Sequence, residues 1–181
     1  KEKEALESFN KAENTCPDYC FPNRLEDIIA LEEAILLNPE GARAPYYLGC
    51  LYNDKRQYDE ALKNWTLSAE LDPGFPTVWR NLALIYCNKE GDTEKALECM
   101  ERAFTLDQTD SRIFMELDQL YKRKQKPHDF RIAKFESHPE LVAKRDDLIL
   151  EHATLLNQTG DYERAAEIID NHIFHPWEGG E

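Results

Sequence analysis

The chain has 181 residues, 36 acidic against 22 basic side chains, and a formal net charge of −14. That balance argues against a nucleic-acid binder, which needs a concentrated positive patch on the phosphate backbone, and it is repelled by anionic lipid surfaces. No apolar run approaches the roughly 20 residues needed to cross a bilayer, and 41% hydrophobic with 32% charged residues fits a folded chain with much surface.

Lys1 to Asn10 is charged and helical in pattern, unlike the basic-then-apolar run of a signal peptide. Ala5, Phe9, Ala12 and Pro17 read as the second helix of a truncated repeat. Pro17 to Pro22 is too short and proline-bounded to be helical. Leu25, Ile28, Ile29, Leu31 and Ile35 predict a helix that Asn38-Pro39 ends. Tyr47, Leu48, Leu51 and Tyr52 predict the next helix, and the polar stretch Asn53 to Gln57 a turn. Tyr58, Ala61, Leu62, Trp65 and Ala69 form a second apolar stripe, stopped by Asp72-Pro73-Gly74. The plan then recurs: Trp79, Leu82, Ala83 and Tyr86, a turn at Glu90-Gly91-Asp92, and Ala96, Met100, Ala103 and Phe104. Phe114, Leu117, Leu120 and Tyr121 give a further first helix, and the second helix after Pro127 is short and ends near His138-Pro139. Ala153 and Leu156 precede the turn Gly160-Asp161-Tyr162, with Ala165 and Ile169 beyond it. The chain opens inside a helical pattern and closes on Gly179-Gly180-Glu181, and we expect it to be excised from a longer protein.

Leu48 to Leu82 and Tyr52 to Tyr86 are each 34 residues apart. Leu82 to Leu117, Tyr86 to Tyr121 and Ala61 to Ala96 are 35 apart, so one extra residue lies around Asn88 to Asp92, where a surface turn accepts it at little cost. Gly49, Ala61, Ala83, Ala96 and Ala103 fall where paired helices cross closely. One pair cannot bury its apolar face alone, so the pairs must stack.

Tyr47-Leu48-Gly49, Tyr58-Asp59-Glu60-Ala61-Leu62, Asp72-Pro73 and Trp79-Arg80-Asn81-Leu82-Ala83 resemble the tetratricopeptide repeat family. The resemblance implies an all-α fold, a right-handed α-solenoid of stacked antiparallel helix pairs. Residues 1–181 are expected to form one such domain. Its parts are irregular opening helices over 1–41, repeats over 42–75 and 76–110, a degenerate repeat over 111–144 and a repeat over 145–177. A narrower likeness rests on Pro17-Asp18-Tyr19-Cys20-Phe21-Pro22, His138-Pro139-Glu140-Leu141 and Phe174 to Gly180. These resemble the repeat region of large bacterial proteins that place an uncharacterised domain ahead of their repeats.

Catalytic and metal signals are weak. Acidic pairs such as Glu32-Glu33 and Asp146-Asp147 lie on polar helix faces and read as solvated surface. Cys16 with Cys20, and His172 with His175 and Glu178, lack the paired spacing of a zinc module. The basic cluster Lys122, Arg123, Lys124 and Lys126 reads as complementing a helix C-terminus. No nucleophile elbow or phosphate-cradling glycine loop occurs. Five scattered cysteines read as reduced thiols in a cytoplasmic setting. The sequons at Asn64 and Asn157 fall in or beside helices and read as chance. We therefore expect a protein that is not an enzyme and uses no metal or other cofactor.

In the tetratricopeptide family the first helix of each repeat lines a concave groove that holds a peptide. Carried over by position, the resemblance implies Arg43, Tyr46, Cys50 and Asn53 in one repeat, Arg80, Asn81, Leu84 and Asn88 in the next, and Arg112, Met115 and Gln119 in the third. The family's clamp for chaperone tails is matched only at Asn81 and Arg112, with Tyr46, Cys50 and Glu116 where it needs donors, so that ligand is rejected. The expected function is a non-catalytic scaffold docking a protein or peptide, or another domain of its parent chain. The alternatives are an accessory domain of a carbohydrate-active bacterial enzyme, with Tyr19-Cys20-Phe21 and Pro176-Trp177-Glu178 as aromatic contributors, and a homodimerisation module built on an open end of the stack.

Overall fold

The structure, a computed structural model, describes residues 2–15, 17 and 20–175. All its regular elements are helical among these residues. The chain divides into two compact units, Lys1–Leu106 and Asp107–Glu181.

The first unit holds α1 (Glu2–Glu13), α2 (Leu25–Leu37), α3 (Arg43–Asp54), α4 (Tyr58–Leu71), α5 (Pro76–Ile85) and α6 (Thr93–Leu106). Helix α3 pairs with α4 and α5 with α6, and α4 packs on α5. Helix α2 packs on α3, while α1 touches both. The Glu13 carboxylate of α1 accepts the backbone N–H groups of Ala42 (2.8 Å) and Arg43 (3.0 Å), satisfying donors left open at the start of α3. Pro76, at the first turn of α5, needs no hydrogen bond there.

The small residues sit at the crossings as expected: Gly49, Ala61, Ala83, Ala96 and Ala103 are all buried. At Gly49 a Cβ would lie 2.5 Å from Cδ1 of Trp65, so glycine is required by the indole, not by the backbone angle. The same indole N–H donates to the Tyr46 carbonyl at 3.2 Å.

The turn after α3 ends with Arg56 in the left-handed region (φ 60°), and the Gln57 N–H returns to the Tyr52 carbonyl, five residues back, at 2.8 Å. Helix α5 ends differently. Tyr86–Glu90 is a π-helical segment, Gly91 takes the left-handed position (φ 68°), and the Asp92 N–H reaches the Tyr86 carbonyl, six residues back, at 2.9 Å. The extra residue counted from the sequence is thus absorbed in a widened last turn of the helix.

The second unit holds α7 (Ser111–Arg123), α8 (His128–Glu136), the single turn α9 (Pro139–Val142), α10 (Asp146–Thr159) and α11 (Tyr162–Asp170). Asp110 caps α7 by accepting the Arg112 N–H at 2.7 Å, and the basic residues Lys122 and Arg123 occupy its last turn. Helices α10 and α11 form an antiparallel pair, and α8 packs on α10. Phe114 and Phe135 meet edge to face at 5.3 Å in the core. Beside them Arg131 is buried and forks onto Asp118 (2.8 and 2.6 Å), with a third contact to Glu151 at 2.6 Å.

Candidate functional site

Helices α3 and α5 present their C-terminal halves to a common cleft of about 570 Å³ within the first unit. Helix α3 contributes Cys50 and Asn53, helix α5 Asn81, Leu84 and Ile85, and the π-helical segment Asn88 and Lys89. Tyr58 and Trp65 reach in from α4. The widened turn after α5 thus supplies two residues of the cleft wall.

Five of the eleven residues carried over by resemblance, Cys50, Asn53, Asn81, Leu84 and Asn88, meet in this cleft. Asn81 stands next to Cys50, with its amide 3.8 Å from Sγ. Arg80 is half-buried on α5, one residue before Asn81. Arg43 and Tyr46 are placed nearer the start of α3. The Arg43 guanidinium lies 3.8 Å from the centre of the Phe75 ring and 3.5 Å from Asp72, and its buried Nε and Nη1 atoms make no hydrogen bond. Tyr46 packs edge-on against Phe75 at 4.7 Å. Arg112, Met115 and Gln119 belong to α7 of the second unit, where the Gln119 amide lies 2.9 Å from the Met115 sulfur. Tyr58, Trp65, Ile85 and Lys89 were not among the sequence candidates; Tyr58 and Trp65 come from α4, whereas positions were carried over only from first helices.

Chemically the cleft offers three neutral amides, one lysine and an apolar floor. Lys89 sits 4.2 Å above the Tyr58 ring. Burial pushes the Cys50 thiol above its ordinary pKa, so sulfur stands there as a thiol, a poor nucleophile. Such groups bind through hydrogen bonds and contact.

Of the other sequence candidates, Asn64 is buried in α4, and its amide donates to the Glu60 carbonyl at 2.8 Å. His172 Nε2 lies 2.7 Å from Asp146 Oδ1, and the His175 N–H donates to Asp146 Oδ2 at 2.8 Å, tying the segment after α11 to the first turn of α10. No three potential metal ligands gather among the described residues. Cys16, Tyr19 and the stretch 176–181, with Pro176, Trp177 and Glu178, lie outside the described residues. Cys20 and Phe21 are exposed. No helix among the described residues is long and apolar enough to cross a membrane.

The sequence profile of the tetratricopeptide repeat matches residues 76–110, the span of α5, the π-helical segment and α6. Residues 76–110 form a tetratricopeptide repeat. Tetratricopeptide repeat protein 37 of Xenopus laevis is 31% identical over 87 residues, which is 45% of this chain but 6% of that protein. Among solved structures, PilF of Pseudomonas aeruginosa superimposes with a TM-score of 0.66 at 19% identity, over 93% of this chain and 75% of that one. YrrB, described as a tetratricopeptide protein with an unusual peptide-binding site, gives 0.62 at 18% identity, over 92% and 79%. MamA from Desulfovibrio magneticus RS-1 gives 0.63 at 14% identity, over 92% of each chain. At these identities the likeness is one of fold, stacked helical repeats.

Proposed function

We propose that this tetratricopeptide chain is a non-catalytic docking module whose α3–α5 cleft holds an extended peptide segment, from another protein or from its own parent chain. The observation that carries this reading is the convergence of Asn53, Asn81 and Asn88 over an apolar floor of Trp65, Leu84 and Ile85. Amide side chains donate and accept, so they pair with a peptide backbone without demanding one sequence. The floor takes one apolar side chain, as amphipathic and aromatic anchors do at interfaces. A polar cleft over a packed indole favours this scaffold over a sugar-binding accessory role. The unusual peptide-binding site of YrrB supports it by analogy of fold. Cys20, Cys50 and Cys99, which are in no disulfide, fit a reducing, cytoplasmic setting.

The test is selection of peptides from a displayed random library, followed by calorimetry with the winners. Binding should weaken at least about tenfold in Asn81→Ala and in Leu84→Ala, a truncation cost typical of a contact at the centre of an interface. The exposed control Asn157→Ala should leave it unchanged. Peptides that bind all three variants equally would remove the cleft from the account. A homodimer is the second reading, favoured by Tyr162, Ile169 and Ile173, which are exposed on and just after α11. Sedimentation that shows only monomer at micromolar concentration would discard it.

A further inference from the structure

Helix α2 is apolar on two sides, and only one of them is covered. Ala34 is buried, Leu31 and Ile35 are half-buried, and the helix packs on α3, where the Tyr52 hydroxyl donates to Glu32 at 3.4 Å. On the other side Leu25, Ile29 and Leu36 are 68%, 71% and 73% exposed. At 3.6 residues per turn these three lie within an arc of about 40°. Their spacing, with Glu32 between Ile29 and Leu36, is that of the a and d positions of a heptad seam. Phe21, 78% exposed, lies in the segment leading into the helix. Single exposed leucines are ordinary, but a contiguous exposed apolar stripe marks a contact surface.

The charges around the stripe say what kind of partner. Glu26 and Glu33 border it on one side, and Glu32 stands within the seam between Ile29 and Leu36. Leu25–Leu37 contains no lysine, arginine or histidine. We propose that this face docks a basic amphipathic helix. The incoming helix lays its apolar seam on Leu25, Ile29 and Leu36 and sets lysines or arginines against the glutamates, as flanking charges choose partners in coiled coils. A second copy of the chain would set acidic borders against acidic borders with −14 on each molecule, and like charges across such a seam repel. The face shares no residue with the α3–α5 cleft, so it stands whether or not the cleft holds a peptide.

The probes are two designed peptides of about 21 residues, three heptads each with the same leucine and isoleucine seam. One carries lysine at the flanking positions, the other glutamate, and both are titrated by fluorescence anisotropy. The lysine peptide should bind at least about tenfold more tightly than the glutamate peptide, and added salt should narrow the gap. Ile29→Lys should abolish its binding while circular dichroism and melting stay unchanged, since that side chain is solvent-exposed. Glu26→Lys with Glu33→Lys should shift preference toward the glutamate peptide. Equal binding of both peptides, binding of neither, or lysine-peptide binding that survives Ile29→Lys would overturn the proposal. So would a concentration-dependent dimer that Ile29→Lys disperses, which would assign the face to a second copy.

Discussion

Gly49 has no side chain because the Trp65 indole fills the space a Cβ would need. Gly49→Ala must push the indole off its place over α3 and strain its bond to the Tyr46 carbonyl. Overpacking of this kind costs about 1–3 kcal/mol, read as a lower urea midpoint. His152 is buried in the second unit, stacked on Phe135 at 5.3 Å, with Nε2 making no hydrogen bond. Burial holds its pKa below the ordinary histidine value, while the charges of Glu136 and Arg164 pull in opposite directions. The unfolded chain therefore takes up a proton that the folded chain resists. Stability contributed by neutral His152 is present above about pH 6.5 and is lost as pH falls toward the lower folded value. Asp146, Asp147 and Glu151 have depressed pKa values, so the stability they contribute is kept until pH falls through the ordinary carboxylate range, about pH 4. Urea midpoints at about pH 7.5 and 5.5 should differ more in the wild type than in His152→Leu; equal differences would remove His152 as the cause.

At the scale of elements, the helix pairs were legible because Leu, Tyr and Ala recur at fixed spacing and each marks a crossing or a gap. The inserted residue was legible as a number but not as a form. Sequence arithmetic puts it in a turn. The chain instead widens the last turn of α5, because Tyr86–Glu90 can stay helical with hydrogen bonds that span one more residue, while Gly91 supplies the left-handed exit. Deleting Lys89 should restore the five-residue return seen from Gln57 to Tyr52 and leave a folded chain. It should also draw Asn88 out of the cleft and weaken any cleft peptide about tenfold or more, measured by calorimetry against the wild type. Unchanged affinity would mean the widened turn does not shape the site. The cleft itself was half legible: first-helix positions follow from the repeat, whereas Tyr58 and Trp65 enter from a second helix. The open face of α2 was not legible, since apolar residues at helical spacing read as buried.

At the scale of the whole molecule, the two compact units rest on different cores. The first is held by alanine crossings and the second is built around an ion pair. Asp118 stands in a stripe otherwise made of Phe114, Leu117 and Tyr121, and that misplaced acid was the one sequence sign of the buried Arg131. Arg131→Met leaves Asp118 buried without its partner and should cost about 3–5 kcal/mol. Adding Asp118→Leu should recover much of that loss; a double variant as unstable as the single one would show that packing, not charge, was lost. Peptide binding in the α3–α5 cleft is the proposed work of the repeats. The most direct measurement is nuclear magnetic resonance of the labelled chain titrated with a library-selected peptide. The largest shift changes should fall on Cys50, Asn53, Asn81, Leu84 and Asn88. Changes centred on other residues, with these five unmoved at saturation, would contradict it.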